Sequence, residues 1–308
     1  MVLDKAKKTI FVTGGTGLIG RHLINHFLSK KYNVICYGRS AEKIRDTFSD
    51  TVTAVTDFSC EHVDYIIHGA CPTASATLKN EPVEVIDTIY SLTRNSLELA
   101  KRTGARYLFM SSMEVYDNLH GTVDETQSGT FALDNSRNSY PVAKQLAELL
   151  VNSYRNEYGV DTCIVRLAQI FGPGYRLDDN RFFVFVLKQC LLGQNIVLQT
   201  DGNKWHNSCY IADAVKLISN ILLSGEHGTF NVTNEDYCMS INDLCRKIIE
   251  ITGSNINIRH SISANTIFRP DSQYKISGDK VRNLFPTFQM TPLDTAIRQT
   301  YDYMKTLK

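Results

Sequence analysis

Thr13-Gly14-Gly15-Thr16-Gly17-Leu18-Ile19-Gly20 begins where an apolar run, Thr9–Thr13, ends and an amphipathic stretch, Leu18–Lys30, begins. Glycines at 14, 17 and 20 sit where a strand becomes a helix. Gly14 permits a tight turn, Gly17 lets backbone approach a pyrophosphate, and Gly20 allows close helix–strand packing. The helix start at Thr16, Leu18 and Ile19 offers unpaired N–H donors and the positive end of the helix dipole to phosphates. An ordinary glycine-rich turn is the competing reading, and the strand-to-helix context weighs against it.

Outward from this loop, Tyr32–Tyr37, Tyr65–His68, Arg106–Met110 and Thr162–Leu167 read as further buried strands. Val83–Lys101 and Ser139–Tyr158 carry apolar residues at three- and four-residue steps and read as helices. Strand–helix alternation with nearly continuous apolar strands implies a parallel sheet covered on both faces, a Rossmann doubly wound α/β fold. After Gly172-Pro173-Gly174 loops lengthen, and the strand-like pieces Asn195–Gln199, Gly228–Val232 and Ile256–Arg259 fall at irregular spacing. The expected organisation is a dinucleotide-binding domain over 1–172 and a smaller mixed α/β C-terminal substrate lobe over 173–308, with one or two segments returning to the sheet. No internal repeat or low-complexity linker interrupts it.

The 308 residues carry 33 Lys and Arg against 32 Asp and Glu, a formal net charge of +1. That balance gives no support for a nucleic-acid partner, so any anion site is local. Cys36, Cys60, Cys71, Cys163, Cys190, Cys209, Cys238 and Cys245 show no Cys-x-x-Cys spacing and no clustering with His. They read as reduced intracellular thiols, with no metal site. Met1–Lys5 has no apolar signal core behind it, and no stretch approaches the roughly 20 apolar residues that span a bilayer. A cytoplasmic, soluble protein without a membrane partner is expected.

At the end of the second strand an acidic residue would bind the ribose hydroxyls of NAD. Here stands Tyr37-Gly38-Arg39-Ser40. Arg39 with Ser40 suits a 2′-phosphate, since guanidinium–phosphate pairing is charge-assisted and bidentate; a solvated surface arginine is the alternative. NADP is thus favoured over NAD. Asp57-Phe58 is placed to cap the adenine edge, and His68-Gly69-Ala70 lies where a strand end passes the cofactor. Tyr140 and Lys144, four apart, share a helix face. A nearby ammonium lowers a phenol from its usual ~10, which would make Tyr140 an acid–base catalyst. Alone this pair is a weak signal. It is joined by Ser111-Ser112-Met113-Glu114-Val115-Tyr116 at a buried strand end, where open parallel sheets place ligands. Ser111 reads equally as a strand-end cap and Glu114 as a surface charge.

Together these residues resemble the extended short-chain dehydrogenase/reductase family, in particular its nucleotide-sugar epimerases, dehydratases, decarboxylases and reductases. The likeness rests on Thr13–Gly20, Ser111–Tyr116, Tyr140–Lys144, Arg166–Gly174 and Arg269-Pro270-Asp271. It implies a nucleotide-diphosphate sugar as substrate. Tyr140 would exchange the proton of the sugar 4-hydroxyl, Lys144 would hold the nicotinamide ribose and tune Tyr140, and Ser112 would orient the 4-oxygen. Glu114 matches the family's C5 base. Met113 departs from an acidic residue found in one dehydratase group, and a thioether donates no proton. Gln169 replaces an asparagine and reaches further.

His206 falls where a diphosphate-binding arginine is usual, and histidine is only partly charged near neutrality. Anion binding there is expected to be weaker or pH-dependent, leaving more to Arg269, Lys204 and Arg181. Trp205 reads either as a stacking platform or as lobe packing. The resemblance also implies a homodimer through a four-helix bundle of Val83–Lys101 and Ser139–Tyr158. The leading expectation is an epimerase or 4,6-dehydratase with internal oxidation at C4. An NADPH-dependent 4-keto-6-deoxy nucleotide-sugar reductase is the alternative, and a non-catalytic dinucleotide-sensing protein the reading from another class.

Overall fold

Thr9–Thr13 forms β1, buried at every position, in a computed structural model that describes residues 7–262 and 273–308. From it the chain runs through α1 (Leu18–Ser29), β2 (Asn33–Tyr37), α2 (Ala41–Phe48), β3 (Thr53–Val55) and β4 (Tyr65–His68). Then follow α3 (Ser75–Asn80), α4 (Pro82–Thr103), β5 (Arg106–Ser112) and α5 (Ser139–Tyr158). The strands Thr162–Leu167 and Gly228–Val232 complete a seven-stranded sheet in the order Gly228–Val232, Thr162–Leu167, β5, β4, β1, β2, β3. β1 pairs in parallel with β2 on one side and with β4 on the other. The chain therefore reverses its direction of travel across the sheet between β1 and β4, and ligands of open α/β sheets bind in the crevice beyond such strand ends. Thr13 and His68 are register partners there.

One face of the sheet, with Phe11, Ile35, Ile66, Tyr107 and Phe109, packs on Ile89, Leu97, Tyr140 and Val151 of α4 and α5. Their burial supplies the driving force for docking both helices; truncating a core leucine such as Leu97 costs about 2–5 kcal/mol. Pro82 opens α4, where its missing N–H has no helical partner to lose, and Gly104 closes it with a left-handed φ of 71°.

The chain divides into two compact units. The first comprises residues up to Asp117, Gly129–Leu167 and Val215–Phe230; the second comprises Asn118–Ser128, Ala168–Ala214 and the chain from Asn231. The second holds a three-stranded sheet in which Trp205–Tyr210 pairs in parallel with Gln169–Phe171 and antiparallel with Asn234–Ser240. Two parallel pairs, Ile258–His260 with Ile196–Leu198 and Tyr274–Ile276 with Gly121–Val123, accompany it. Helices Phe182–Leu192, Ile241–Thr252 and Leu293–Lys305 belong to this unit.

Gly228–Val232, expected among the irregular lobe strands, is the edge strand of the large sheet. β5 runs two residues beyond its expected end, so Ser111 and Ser112 are strand residues. Among the described residues, no helix is long and apolar enough to cross a membrane.

Candidate active site

The turn after β1 is shaped by close backbone approach. Gly14 has φ 75°, and a Cβ there would lie 2.8 Å from the Gly69 carbonyl carbon and 2.9 Å from the Ala70 nitrogen. A Cβ on Gly20 would meet the Gly14 oxygen at 2.2 Å. Gly17 N-caps α1 without any side-chain cap, and the first turn, which holds Leu18 and Ile19, has no acidic residue. The Gly17 N–H is taken by the Gly14 carbonyl at 3.1 Å, which leaves the N–H groups that follow it in the first turn to face an anionic ligand. This cradle, which side chains would fill, fits a dinucleotide pyrophosphate.

The strand ends on either side are tied by a saturated network. Thr13 Oγ1 accepts from the N–H groups of Gly69 at 3.1 Å and Ala70 at 3.0 Å. Its hydroxyl lies 2.7 Å from His68 Nδ1. The Thr93 hydroxyl donates to the Ile89 carbonyl at 2.6 Å, so at 3.1 Å from His68 Nε2 it must accept. Nε2 therefore carries the proton, and Nδ1 accepts from Thr13. Burial, and then the positive charge of Lys144, push His68 down to about 3. It is a neutral structural histidine, stacked on Phe109 at 5.6 Å.

At the end of β2 Arg39 is exposed, while Ser40 N-caps α2 by accepting from Lys43 N–H at 3.2 Å. Asp57 is occupied by a turn of its own, accepting from the Ser59 N–H at 2.9 Å. Phe58 lies against Tyr37 with ring centres 4.3 Å apart in a tilted arrangement and packs on the core.

β5 and α5 bring Ser112, Tyr140 and Lys144 together. Ser112 accepts from the Glu114 N–H at 3.2 Å, capping the short turn Met113–Tyr116. The Tyr140 hydroxyl shares hydrogen bonds with Ser112 and with the Cys71 thiol. Lys144, 2 % exposed, donates to the Met110 carbonyl at 2.8 Å and lies 5.8 Å from the Tyr140 ring centre. The expected lowering of the phenol is reversed in the protein alone. Burial first, then Cys71 and Glu114, push Tyr140 well above its ordinary value, against the Ser112 hydrogen bond. Lys144 is spent on a carbonyl and a ring, so desolvation of the phenolate wins. Ser111 turns the other way and donates to Glu148 at 2.5 Å. Glu148 also accepts from Arg166 at 2.8 Å and 3.0 Å, a buried pair joining α5 to Thr162–Leu167. Ser111 is thus a structural residue.

In the second unit, Gln169 is half-buried opposite Ser208. Arg181 is committed to Asp179, with Nε 2.9 Å from Oδ1, and lies over the Tyr175 ring at 4.6 Å. His206 is buried between Phe182 and Phe183, with ring centres at 5.5 Å and 5.3 Å and neither ring nitrogen hydrogen-bonded. Burial, then Lys204, lower it to about 4. The expected partial charge near neutrality is therefore absent: His206 is neutral. Trp205 is 40 % exposed. Arg269 lies outside the described residues. Among the described residues, no group of three or more His, Cys, Asp or Glu gathers as metal ligands.

Sequence reading missed Cys71 and Arg137. Cys71 directly follows the strand-end triplet His68-Gly69-Ala70, a signal available from position. Arg137 precedes Tyr140 by three residues and places Nη2 3.8 Å from Glu114.

A glycine cradle at the sheet's reversal point, with a Ser–Tyr–Lys cluster at the neighbouring strand end, defines a nicotinamide-dinucleotide enzyme on a Rossmann fold. Residues 10–233 match the model of the NAD dependent epimerase/dehydratase family, and the chain belongs to that family. UDP-glucuronic acid decarboxylase 6 of Arabidopsis thaliana is 29 % identical over 261 residues, covering 81 % of this chain and 76 % of the relative. UDP-glucuronic acid decarboxylase 2 of the same plant is 31 % identical over 276 residues, covering 86 % and 60 %. Among solved structures, the UDP-glucose 4-epimerase of Thermotoga maritima superposes with a TM-score of 0.83 at 20 % identity, covering 97 % of this chain and 100 % of that one. The UDP-glucuronic acid 4-epimerase of Bacillus cereus, solved with UDP-glucuronic acid and NAD, gives 0.82 at 20 % identity with the same coverage. Those two structures share the fold.

Proposed function

We propose that this enzyme oxidises C4 of a UDP-linked sugar, with Ser112, Tyr140 and Lys144 as its catalytic set, Glu114 acting at C5, and UDP-glucuronic acid as the substrate. The hydrogen-bonded Ser112–Tyr140 pair at the end of β5 is the observation that carries this reading. The names of the relatives support the substrate. When bound, the nicotinamide supplies a hydride acceptor and later a donor. Tyr140 takes the proton of the 4-hydroxyl and Ser112 orients the 4-oxygen. Lys144, buried beside both, stabilises negative charge as it develops on the phenol. A ketone at C4 makes the C6 carboxylate that of a β-keto acid. The C5–C6 bond then breaks, carbon dioxide leaves, and its electron pair delocalises onto the 4-oxygen. Glu114 relays a proton drawn from solvent water to C5, and Tyr140 returns one to the 4-oxygen as the sugar is reduced. The same Glu114 would serve an epimerase or dehydratase, but Met113 offers no acid for a departing 6-hydroxyl.

Exposed Arg39 at the end of β2 favours a second reading, NADPH-dependent reduction of a 4-keto sugar. The dinucleotide released on denaturation separates the two. Stoichiometric, partly reduced NAD supports internal hydride return, while an empty protein that consumes added NADPH supports the reductase. Replacing Tyr140 by Phe should keep dinucleotide binding and reduce turnover by roughly two to four orders of magnitude; an unaffected rate refutes the mechanism.

The oligomer belongs to the same proposal. Val83, Ile86 and Tyr90 on α4, and Leu146 and Leu149 on α5, are between 39 % and 72 % exposed. Spaced by three and four residues, each set makes an apolar stripe on the outer side of its helix. Pairing α4 and α5 of two copies would cover both in a four-helix homodimer.

A further inference from the structure

Arg137 lies in the turn Ser136–Asn138 that leads directly into α5 and Tyr140. Its guanidinium is used on one edge only. Nη2 faces the Glu114 carboxylate at 3.8 Å, whereas Nη1 is buried and has no hydrogen-bond partner. A guanidinium offers five donors, has no acceptor and cannot shed its charge. A buried, unpaired donor on it is therefore unfavourable in the protein alone, and a ligand oxygen at that edge would satisfy it. Packing does not account for the residue, since its side chain remains 31 % exposed beside the reactive cluster.

We propose that Arg137 is a specificity-determining residue that selects a sugar bearing an anionic group at C6, a nucleotide-linked hexuronate. Nη1 takes the substrate carboxylate while Nη2 stays on Glu114. This rests on the reading that Glu114 works at C5. A group acting at C5 is one bond from the C6 substituent, so the cation beside Glu114 faces that substituent. A hydroxymethyl group there calls for no cation. A carboxylate would be repelled by Glu114 unless a positive charge stands between them, and two edges of one guanidinium can serve two carboxylates. The pair forms with the ground-state carboxylate and is lost as neutral carbon dioxide departs. Arg137 therefore acts on substrate binding more than on the chemical step.

The test is calorimetric binding of UDP-glucuronic acid and UDP-glucose to the full chain carrying Tyr140→Phe, with Arg137 intact, as Arg137→Met and as Arg137→Lys. With Arg137 intact, UDP-glucuronic acid should bind more tightly than UDP-glucose. Arg137→Met should weaken UDP-glucuronic acid by roughly 10- to 100-fold and leave UDP-glucose within about threefold, which also shows that the variant folds. Arg137→Lys should recover part of the loss, keeping the charge without the fork. In the Tyr140 enzyme, KM should rise more than kcat falls. Equal weakening of both ligands, no weakening of UDP-glucuronic acid, or no preference in the Arg137 protein overturns the proposal. Failure of the C4 chemistry shows elsewhere, as turnover surviving Tyr140→Phe, and the ratio of affinities is read without it.

Discussion

Acidification from about pH 7.5 to about pH 5 should destabilise both compact units, each through one buried histidine. His68, 1 % exposed, is pushed down to about 3, and His206, 7 % exposed, to about 4, both mainly by burial. The folded protein keeps them neutral, whereas the unfolded chain takes up a proton on each near 6.5. Their stabilisation is therefore complete above about pH 6.5 and declines as the pH falls toward the folded values. Below 6.5 each histidine costs about 1.4 kcal/mol per pH unit, so by pH 5 each has withdrawn about 2 kcal/mol. His26, lowered by burial and then by Lys30, adds in the same direction. Carboxylates held low by their partners, such as Asp64 beside Lys8 and Glu235, which accepts from the Gly278 N–H and lies beside Lys275 and Arg282, lose their share only near and below about pH 4. The window thus isolates the histidines.

The assay is guanidinium unfolding at stepped pH. Trp205, the only tryptophan, reports on the second unit by fluorescence, and far-ultraviolet circular dichroism reports on the whole. His206→Leu should flatten the pH slope of the fluorescence transition, and His68→Asn should reduce the remaining slope in dichroism to the part that His26 carries. It is the slope that discriminates, because each substitution also shifts absolute stability. A stability that is level from pH 6.5 to 5, or slopes untouched by either substitution, refutes the placement of these rings as buried and neutral.

Gly20→Ala would drive a methyl group into the Gly14 oxygen, 2.2 Å from the Cβ position, so the loop must move; dinucleotide affinity should fall at least about tenfold, with about 1–3 kcal/mol lost from stability, read by calorimetry and thermal unfolding. Arg166→Met leaves Glu148 buried without its cation and should cost about 3–5 kcal/mol, largely recovered by adding Glu148→Leu; equal instability of the single and double variants would count against the pair as described. Leu149→Glu places a charge on the exposed stripe of α5 and should convert a dimer to a monomer in sedimentation equilibrium, and a monomeric parent protein removes the four-helix interface from the proposal.

Much of this site was legible because its signals are local. The glycine loop follows β1 directly, and Tyr140 and Lys144 share a helix face by spacing alone. What failed depends on groups distant in the chain. Gly228–Val232 reads as the same five residues whether it edges the large sheet or a lobe, and only its neighbour in the sheet, Thr162–Leu167, decides. The expected charge on His206 assumed solvent, but Phe182 and Phe183 exclude it. Spacing pairs Tyr140 with Lys144 alone, while burial raises the phenol and Cys71 and Glu114, which reach it from other segments, push it the same way. The short strands Thr53–Val55, Gly121–Val123 and Tyr274–Ile276 span too few residues for a periodic signal.

The glycine motif also says less than it first shows about why the crevice holds its shape. Glycines permit the approach of two turns; they do not enforce it. Enforcement comes from Thr13, the residue before the motif. Its single oxygen accepts two N–H groups from the turn after β4 and donates to the ring of His68, itself held by Thr93 on α4. Valine would suit a buried strand better and fill the same volume. It would leave the Ala70 N–H and His68 Nδ1 without partners at the point where β1 and β4 meet. Cys71, which touches the Tyr140 hydroxyl, is the next residue of that turn. A hydroxyl on β1 thereby sets where the phenol on α5 finds a hydrogen-bond partner, and so links the glycine turn to Tyr140 through covalent neighbours and hydrogen bonds alone.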